Sequence, residues 1–197
     1  MVSGNLSDNV ILVPATLSIK RRLEIELKGS GNVIALGVGS SFVLTKIICR
    51  RRDNLVLIGP RCSFTGGTIF ADGPRTSIVI GADTTFASGV LIAQEADMHI
   101  IVGDDCMFSN EVALRTSDSH GIQELASGHR VNPPGPIVLG EHVWVGNSAR
   151  VGKGVTVGSN TILAQRALLV ADAEPNSIYG GVPARKLRDG ITWSRAL

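Results

Sequence analysis

Aromatic residues and cysteines are scarce in this sequence. Its 197 residues include five Phe, two Trp, one Tyr and three Cys, although hydrophobic residues make up 44%. With so few large rings and 23 glycines, the interior must be narrow and filled mainly by small aliphatic side chains. Cys49, Cys62 and Cys106 form no C-x-x-C pair, which argues against a disulfide framework and a zinc site. We therefore expect a reducing compartment, the cytoplasm, and no bound metal.

Net charge and long apolar runs are also lacking. Nineteen Lys and Arg against 17 Asp and Glu leave a formal charge of +2, which is too small for a general nucleic-acid binder. The segment from Met1 to Asp8 lacks the basic-then-apolar pattern of a secretory signal, and no apolar run is long enough to cross a bilayer. We expect a folded cytoplasmic domain that neither binds nucleic acid nor inserts into a membrane.

The most informative feature present is a six-residue repeat. An aliphatic residue or Phe is followed by a small residue, and the fifth position is small or β-branched. The pattern runs six times without a break, beginning at Leu139, Val145, Val151, Val157, Leu163 and Leu169. Earlier copies begin at Ile80, Phe86, Ile92, Val102, Phe108 and Leu114. Such internal periodicity predicts a solenoid.

A second period of 22 residues is superimposed on the hexads. It links Leu36-Gly37, Ile58-Gly59, Ile80-Gly81 and Val102-Gly103. Six residues after each of these pairs comes a phenylalanine, at Phe42, Phe64, Phe86 and Phe108. We interpret the 22 residues as three hexads plus four residues that enlarge one corner of each turn, at 54–57, 76–79 and 98–101.

The repeat predicts an all-β fold, a parallel β-helix in which each hexad forms one flat side of a prism. The first residue of each hexad points inward and stacks on its equivalents in neighbouring turns. We count about six coils in a β-helix domain at 36–174. Alternating apolar and charged residues at 23–28 predict a half-exposed strand within N-terminal cap strands at 1–35. The C-terminal segment, 175–197, is expected to pack across the last coil.

Residues 120–138 interrupt the repeat with a 19-residue excursion that is rich in Gly and Pro. A long loop in a compact domain is more often functional than filler. Three of the four histidines, His120, His129 and His142, lie within it or just after it. We therefore look for the functional site around this loop.

The segments flanking the loop resemble the signature of the hexapeptide-repeat acyltransferases. They are LRTSDSH at 114–120 and IVLGEHVWVG at 137–146, and the closing GVPAR at 181–185 matches the usual ending of that family. The first two look most like the O-acetyltransferases of bacterial surface polysaccharides, with the polysialic acid capsule O-acetyltransferases as the nearest type. The resemblance implies a left-handed coil, acetyl-CoA as donor and a homotrimer with active sites between neighbouring prisms.

The same resemblance implies catalytic roles for His120 and Trp144. His120 corresponds to the general base that accepts the proton of an attacking sugar hydroxyl, which an imidazole can do at neutral pH. Trp144 corresponds to the second catalytic residue, whose indole N–H would stabilise the oxyanion of the tetrahedral intermediate. An anchor at the subunit interface is the alternative for Trp144. Arg115 and Asp118 are the candidates for acceptor binding, and Asp118 is also a candidate for orienting His120.

For the donor, the resemblance implies a groove beside the later coils, with the nucleotide phosphates near C-terminal basic residues. The matching positions are Gly146, Asn147, Ala164, Gln165, Arg185 and Lys186. The run LAQRA at 163–167 departs from the family's usual small residues. Its Gln165 and Arg166 therefore either narrow the groove or add a phosphate contact. We expect His129 and His142 to be exposed edge residues near the donor groove.

We predict an O-acetyltransferase that moves the acetyl group of acetyl-CoA to a saccharide hydroxyl by direct attack, because no Cys or Ser is placed to carry an acyl group. The alternatives are N-acylation of a nucleotide-linked amino sugar and a non-catalytic β-helix binding module. A zinc carbonic anhydrase on the same prism is disfavoured. Its three histidines must converge on the metal, and the spacings of 21, 9 and 13 between the four histidines here do not resemble that family's close pair.

Overall fold

The computed structural model describes residues 1–196, which form β-strands joined by turns and loops. Leu197, the last residue of the predicted C-terminal segment, lies outside the described residues. None of the described residues belongs to a helix that could cross a membrane. In chain order the strands are β1 Val2–Gly4, β2 Val10–Leu12, β3 Ser18–Ile19, β4 Leu23–Leu27, β5 Val33–Leu36, β6 Ser41–Phe42, β7 Thr45–Cys49, β8 Leu55–Ile58, β9 Ser63–Phe64, β10 Gly67–Ala71, β11 Ser77–Ile80, β12 Thr85–Phe86, β13 Gly89–Ala93, β14 His99–Val102, β15 Met107–Phe108, β16 Val112–Arg115, β17 Ile137–Leu139, β18 Trp144–Val145, β19 Arg150–Val151, β20 Thr156–Val157, β21 Ile162–Leu163, β22 Leu168–Leu169, β23 Ser177–Gly181 and β24 Ala184–Asp189.

These strands stack in three sheets, which are the faces of a prism. Face 1 contains β1, β4, β7, β10, β13, β16, β19 and β22, and face 2 contains β2, β5, β8, β11, β14, β17 and β20. Face 3 contains β3, β6, β9, β12, β15, β18, β21, β23 and β24. Neighbouring strands pair in parallel, except for the antiparallel pair β23 and β24. The all-β parallel helix predicted from the hexads is therefore confirmed.

The solenoid has about eight turns, as the eight strands of face 1 show, rather than the six counted from the repeat. The additional turns lie in the N-terminal segment. The strand expected near residues 23–28 is present as β4, and it pairs with β1 on one side and with β7 on the other. The outermost turn has a neighbour on one side only, and its apolar residues Ile11 and Leu17 are only partly buried. Its sequence is therefore free to depart from the hexad pattern.

A column of phenylalanine rings fills the prism below face 3. The ring centroids of Phe42, Phe64, Phe86 and Phe108 lie 5.2, 5.6 and 5.4 Å apart in successive turns. All four rings are at most 2% exposed. Val145 continues the column beside Phe108. Ring pairs at this spacing contribute about 0.5–1.5 kcal/mol each beyond the burial of their surface.

On one strand of face 1, β13, the inward position differs by one residue from the hexad assignment, whereas Leu114, Val151 and Leu169 are buried as predicted. Ile92 was expected to point inward but is half-buried, whereas Leu91 and Ala93 are buried. Gly89 begins this strand with a φ of 137°, and an added Cβ there would lie 2.1 Å from the carbonyl oxygen of Val112. The kink at Gly89 shortens the step from the Phe column to the next inward side chain.

The four extra residues of each 22-residue turn do not enlarge a corner, which corrects the assignment made from the repeat. Residues 77–79, for example, lie within β11 and pair in register with β8 and β14. The additional length therefore extends a face of the prism. Residues in a strand ladder satisfy their backbone hydrogen bonds with the neighbouring turns, and residues in a corner loop lack these strand partners.

The C-terminal segment does more than cross the last coil. After the β23–β24 hairpin, the tail (residues 191–196) runs back along the corner between faces 2 and 3. The amide of Ile191 donates to the carbonyl of Asn176 at 3.1 Å, and Arg195 Nη1 donates to Thr85 Oγ1 at 2.8 Å. Polar residues stacked along this corner supply partners for the tail in several turns.

Candidate active site

The excursion leaves face 1 after β16 and returns to the prism at β17. Its arms are joined by an antiparallel bridge between Gln123 and Arg130, and the amide of Glu124 donates to the carbonyl of His129 at 2.9 Å. Most of its residues are exposed, whereas Asn132 is only 7% exposed. The loop is thus fixed at its base and projects from the corner between faces 1 and 2.

Asn132 joins the two arms at this base. Its Nδ2 donates to Asp118 Oδ2 at 2.8 Å and to the carbonyl of His120 at 2.9 Å. Its Oδ1 accepts from the amide of Ile122 at 2.6 Å and from Arg130 Nε at 3.2 Å. Asn132 was not among the residues predicted from the sequence. The available signal was an Asn in front of Pro-Pro in a Gly-rich loop, where its side chain commonly bonds to nearby backbone.

His120 combines a fixed backbone with an exposed side chain. Its carbonyl is held by Asn132, while its imidazole makes no hydrogen bond to any of residues 1–196. A general base needs a defined position and a nitrogen that is free to accept a proton. The structure fixes the backbone of His120 and leaves its side chain exposed.

Ion pairs hold the excursion against the prism. Lys153 Nζ lies 2.5 Å from Asp118 Oδ2, and this contact, together with the Asn132 bond, lowers the pKa of Asp118. Arg130 donates to both oxygens of Glu95 at 2.6 and 2.7 Å, and Ser117 Oγ also donates to this carboxylate. The guanidinium of Arg130 in particular lowers the pKa of Glu95 to about 2. Both carboxylates are therefore ionised at neutral pH.

Arg115 and Asp118, the acceptor-binding candidates, line one groove of about 330 Å³ next to the excursion. Arg115 is exposed, and its Nη2 donates to Ser119 Oγ at 2.9 Å and to Gln94 Oε1 at 3.2 Å. Ser117 and Lys153 also line the groove. A groove with this density of donors and acceptors suits a molecule that carries many hydroxyls.

Trp144 lies on face 3, away from the excursion. The residue is half-buried, and its Nε1 donates weakly to Ser109 Oγ at 3.4 Å. Ser109 also lines a groove of about 390 Å³ that descends over the earlier turns of this face. His120 and Trp144 are thus not brought together within one chain, because they stand at different sides of the prism.

Four of the donor-site candidates meet at the corner between faces 3 and 1. Gly146 and Asn147 occupy one turn, and Ala164 and Gln165 occupy the next. The amide of Gly146 donates to the carbonyl of Leu163 at 2.8 Å. A Cβ at Gly146 would lie 2.6 Å from that oxygen, so close stacking of the turns requires glycine here.

The two basic candidates lie beside the same end of face 3, on β24. Arg185 pairs with Gly180 of β23, and an added Cβ on Gly180 would lie 3.3 Å from Ala164 Cβ. The guanidinium of Arg185 is exposed, and its Nη1 donates to the carbonyl of Ala184 at 3.1 Å. Lys186 Nζ lies 2.5 Å from Glu174 Oε2, which raises the pKa of Lys186.

The remaining histidines and the cysteines have structural surroundings. His129 is exposed, as expected, but His142 is not a free edge residue. Its Nδ1 lies 2.6 Å from Asp105 Oδ2, and its ring stacks on Trp193 with a centroid distance of 4.1 Å. Burial raises the pKa of the three thiols, those of Cys49, Cys62 and Cys106, to about 11 or 12. They are therefore poor nucleophiles at neutral pH. Across residues 1–196, no three His, Cys, Asp or Glu side chains cluster as metal ligands.

Solved structures identify the class of this fold. The polysialic acid O-acetyltransferase OatWY superimposes with a TM-score of 0.93 at 25% identity, covering 100% of this chain and 92% of that one. The polySia-specific acetyltransferase NeuO gives 0.87 at 25% identity, covering 100% and 89%. The chain therefore has the left-handed β-helix fold of these acetyltransferases. The resemblance predicted from the loop-flanking segments is confirmed.

Sequence comparison leads to the same class through shorter segments. A chloramphenicol acetyltransferase of Agrobacterium fabrum (strain C58 / ATCC 33970) is 43% identical over 56 residues, which are 28% of this chain and 27% of that protein. A polysialic acid O-acetyltransferase of Escherichia coli O1:K1 / APEC is 28% identical over 85 residues, 43% of this chain and 28% of that protein. The matches span little more than a quarter of these relatives. No family model matches the chain. The relatives and structural neighbours are named as acetyltransferases, which supports an acyltransferase.

Proposed function

We propose that this protein is an O-acetyltransferase that moves the acetyl group of acetyl-CoA to a hydroxyl of a saccharide. The observation that carries the proposal is His120, whose backbone is held by Asn132 and whose imidazole is exposed, on a fold shared with two polysialic acid O-acetyltransferases. Those neighbours make a bacterial capsular or other surface polysaccharide the first acceptor to test. We further propose that the protein acts in the cytoplasm.

In the proposed mechanism His120 is the general base. It accepts the proton of the acceptor hydroxyl as that oxygen attacks the thioester carbonyl, and it returns the proton to the departing thiolate. The indole N–H of Trp144 donates to the oxygen of the carbonyl as negative charge develops there. The buried cysteines support direct transfer, because none is available to form an acyl-enzyme.

The donor groove of this proposal is the corner between faces 3 and 1. Gly146 and Ala164 present little side chain there, so a narrow pantetheine arm fits against the backbone of two successive turns. The exposed guanidinium of Arg185 suits a phosphate, because its planar fork matches phosphate oxygens. Gln165 and Arg166 are exposed at the same corner, where their side chains would contact a donor bound in the groove.

We propose a homotrimer as the active assembly. His120 stands at the corner between faces 1 and 2, and Trp144 stands on face 3, so a second copy is needed to bring the two groups to one acceptor. Arg115 and Asp118 would then hold the saccharide in the groove beside His120. This division of roles between faces is the reason to expect a site between protomers.

Acetyl transfer can be tested by incubating the purified protein with acetyl-CoA and a panel of acceptors while the release of thiol is followed. The panel contains polysialic acid oligomers, neutral surface-polysaccharide fragments and a nucleotide-linked amino sugar. Acceptor-dependent thiol release with a base-labile O-acetyl product supports the proposal. An alkali-stable amide on the amino sugar would instead establish N-acylation, and no release with any acceptor would favour a binding module.

A further inference from the structure

The C-terminal tail brings a second tryptophan to the neighbourhood of Trp144. The chain has two tryptophans, and the 8%-exposed Trp193 belongs to the tail. Trp193 Nε1 donates to the carbonyl of His142 at 2.7 Å, and the carbonyl of Trp193 lies 3.0 Å from His142 Nε2. These two reciprocal contacts fix Trp193 to the segment that carries Trp144.

The position of His142 directs Trp193 towards Trp144. His142 has a φ of 54°, so the chain turns just before Trp144 and the fully buried Val143. Trp193 stacks on the His142 ring at an interplanar angle of 10°. Its own ring then lies 6.0 Å from that of Trp144, tilted by 50°. The distance is within the range of interacting aromatic pairs.

Contacts on both sides of Trp193 hold the tail in place. Thr192 Oγ1 donates to Asn160 Oδ1 at 2.9 Å. Arg195 donates to Asp105 Oδ1 at 3.0 Å and to the carbonyl of Cys106 at 3.1 Å. These contacts tie the residues on both sides of Trp193 to successive turns of the prism.

We propose that Trp193 is a positioning residue that fixes the indole of Trp144 for acetyl transfer. Ser109 accepts from the Trp144 N–H only at 3.4 Å, so this bond alone directs the indole weakly. Packing against Trp193 restricts the remaining rotation of the ring. The inference rests on the function proposed above, in which Trp144 donates to the developing oxyanion, and that donor must be held in place before the reaction.

The first test compares Trp193→Ala with Trp193→Phe. Loss of the ring in Trp193→Ala is expected to lower kcat about tenfold or more with an unchanged KM for acetyl-CoA, because a displaced donor weakens transition-state stabilisation. Trp193→Phe retains a ring that stacks on His142 and should recover most of kcat. Ser194→Ala, an exposed neighbour in the same tail, is the matched control with wild-type activity.

The second test reads Trp144 directly, because it is then the single tryptophan of either variant. In Trp193→Ala, acrylamide should quench the fluorescence of Trp144 more strongly, and its near-ultraviolet circular dichroism should weaken. In Trp193→Phe both signals should indicate a packed indole. Equal quenching and equal kcat in the two variants would overturn the proposal and leave the tail as a cover.

A further variant and a readout independent of activity cover the cases in which Trp193→Ala does not fold or the protein acetylates no acceptor. If Trp193→Ala fails to fold, Arg195→Ala combined with Trp193→Phe releases the end of the tail while Trp144 remains the single tryptophan, and it should increase the quenching in the same direction. The fluorescence measurement does not depend on acetyl transfer. If the fluorescence shows that the tail restrains Trp144 but the protein acetylates no acceptor, the proposed function is overturned while the contact between Trp193 and Trp144 stands.

Discussion

At the scale of single residues, His120 shows how the chain separates positioning from chemistry. The Asn132 amide bonds to its carbonyl at 2.9 Å, and the imidazole is left exposed. We predict that His120→Ala lowers kcat about 100-fold or more, the range of a lost general base, with little change in KM for acetyl-CoA. Steady-state thiol release measures both constants.

His129→Ala is the matched control for this prediction. His129 belongs to the same excursion, is exposed, and contributes its backbone to the loop through the bond to Glu124. Its variant should retain wild-type kcat. Equal activity losses in the two variants would point to general disturbance of the loop instead of proton transfer by His120.

At the scale of elements, the anchoring of the excursion is sensitive to acid. Hydrogen bonds from Arg130 foremost, and also from Ser117, lower the pKa of Glu95 from 4.5 to about 2. A lowered pKa means that the stabilisation is complete above pH 4.5 and is lost as the pH falls through about 2. We predict that residues 120–138 are protected at pH 5 and loosen in this acidic window. Pulsed hydrogen exchange, corrected for intrinsic rates, measures the protection.

Glu95→Gln provides the comparison for the acid response. The amide keeps the shape of the side chain but removes the charge that pairs with Arg130, so this variant should be loosened already at pH 6. The variant should still respond to acid, because Asp118 still pairs with Lys153. Its response should be smaller than that of the wild type, because the Glu95 charge is gone. An excursion equally protected at pH 2.5 and pH 6 would contradict the role of the Glu95 pair.

The repeat predicts most of the fold, whereas some local and long-range features are absent from it. The hexads from Leu139 onwards predict the prism because each inward residue must stack on its neighbours. The inward residue of β13 was assigned wrongly because a kink at Gly89 changes the step locally. Asn132 acts through hydrogen bonds that leave no periodic signal, and the Trp193–His142 contact joins residues 51 positions apart. Such contacts between distant residues depend on the folded structure and cannot be read from the periodic sequence.

At the scale of the whole molecule, the solenoid depends on continuity between turns. Phe86 is 1% exposed and has a ring neighbour in the turn on either side, at 5.6 and 5.4 Å. We predict that Phe86→Ala lowers the free energy of unfolding by about 3–5 kcal/mol, through lost burial and the cavity left behind. Leu44→Ala, at a residue 54% exposed, should change it by less than about 0.5 kcal/mol. Urea denaturation at a fixed protein concentration measures both, and similar losses would contradict the continuous core.

The proposed trimer leads to a complementation experiment. If each site takes His120 from one protomer and Trp144 from its neighbour, mixed oligomers of His120→Ala and Trp144→Ala chains contain some sites with both groups intact. For random assembly of equal amounts in a cyclic oligomer, about a quarter of the wild-type activity should return, although each variant alone is nearly inactive. Co-refolding the two chains and measuring thiol release tests this, with each variant refolded alone as the control. Mixtures without recovered activity would mean that one chain supplies the whole site, and a fully active monomer would remove the need for a neighbour.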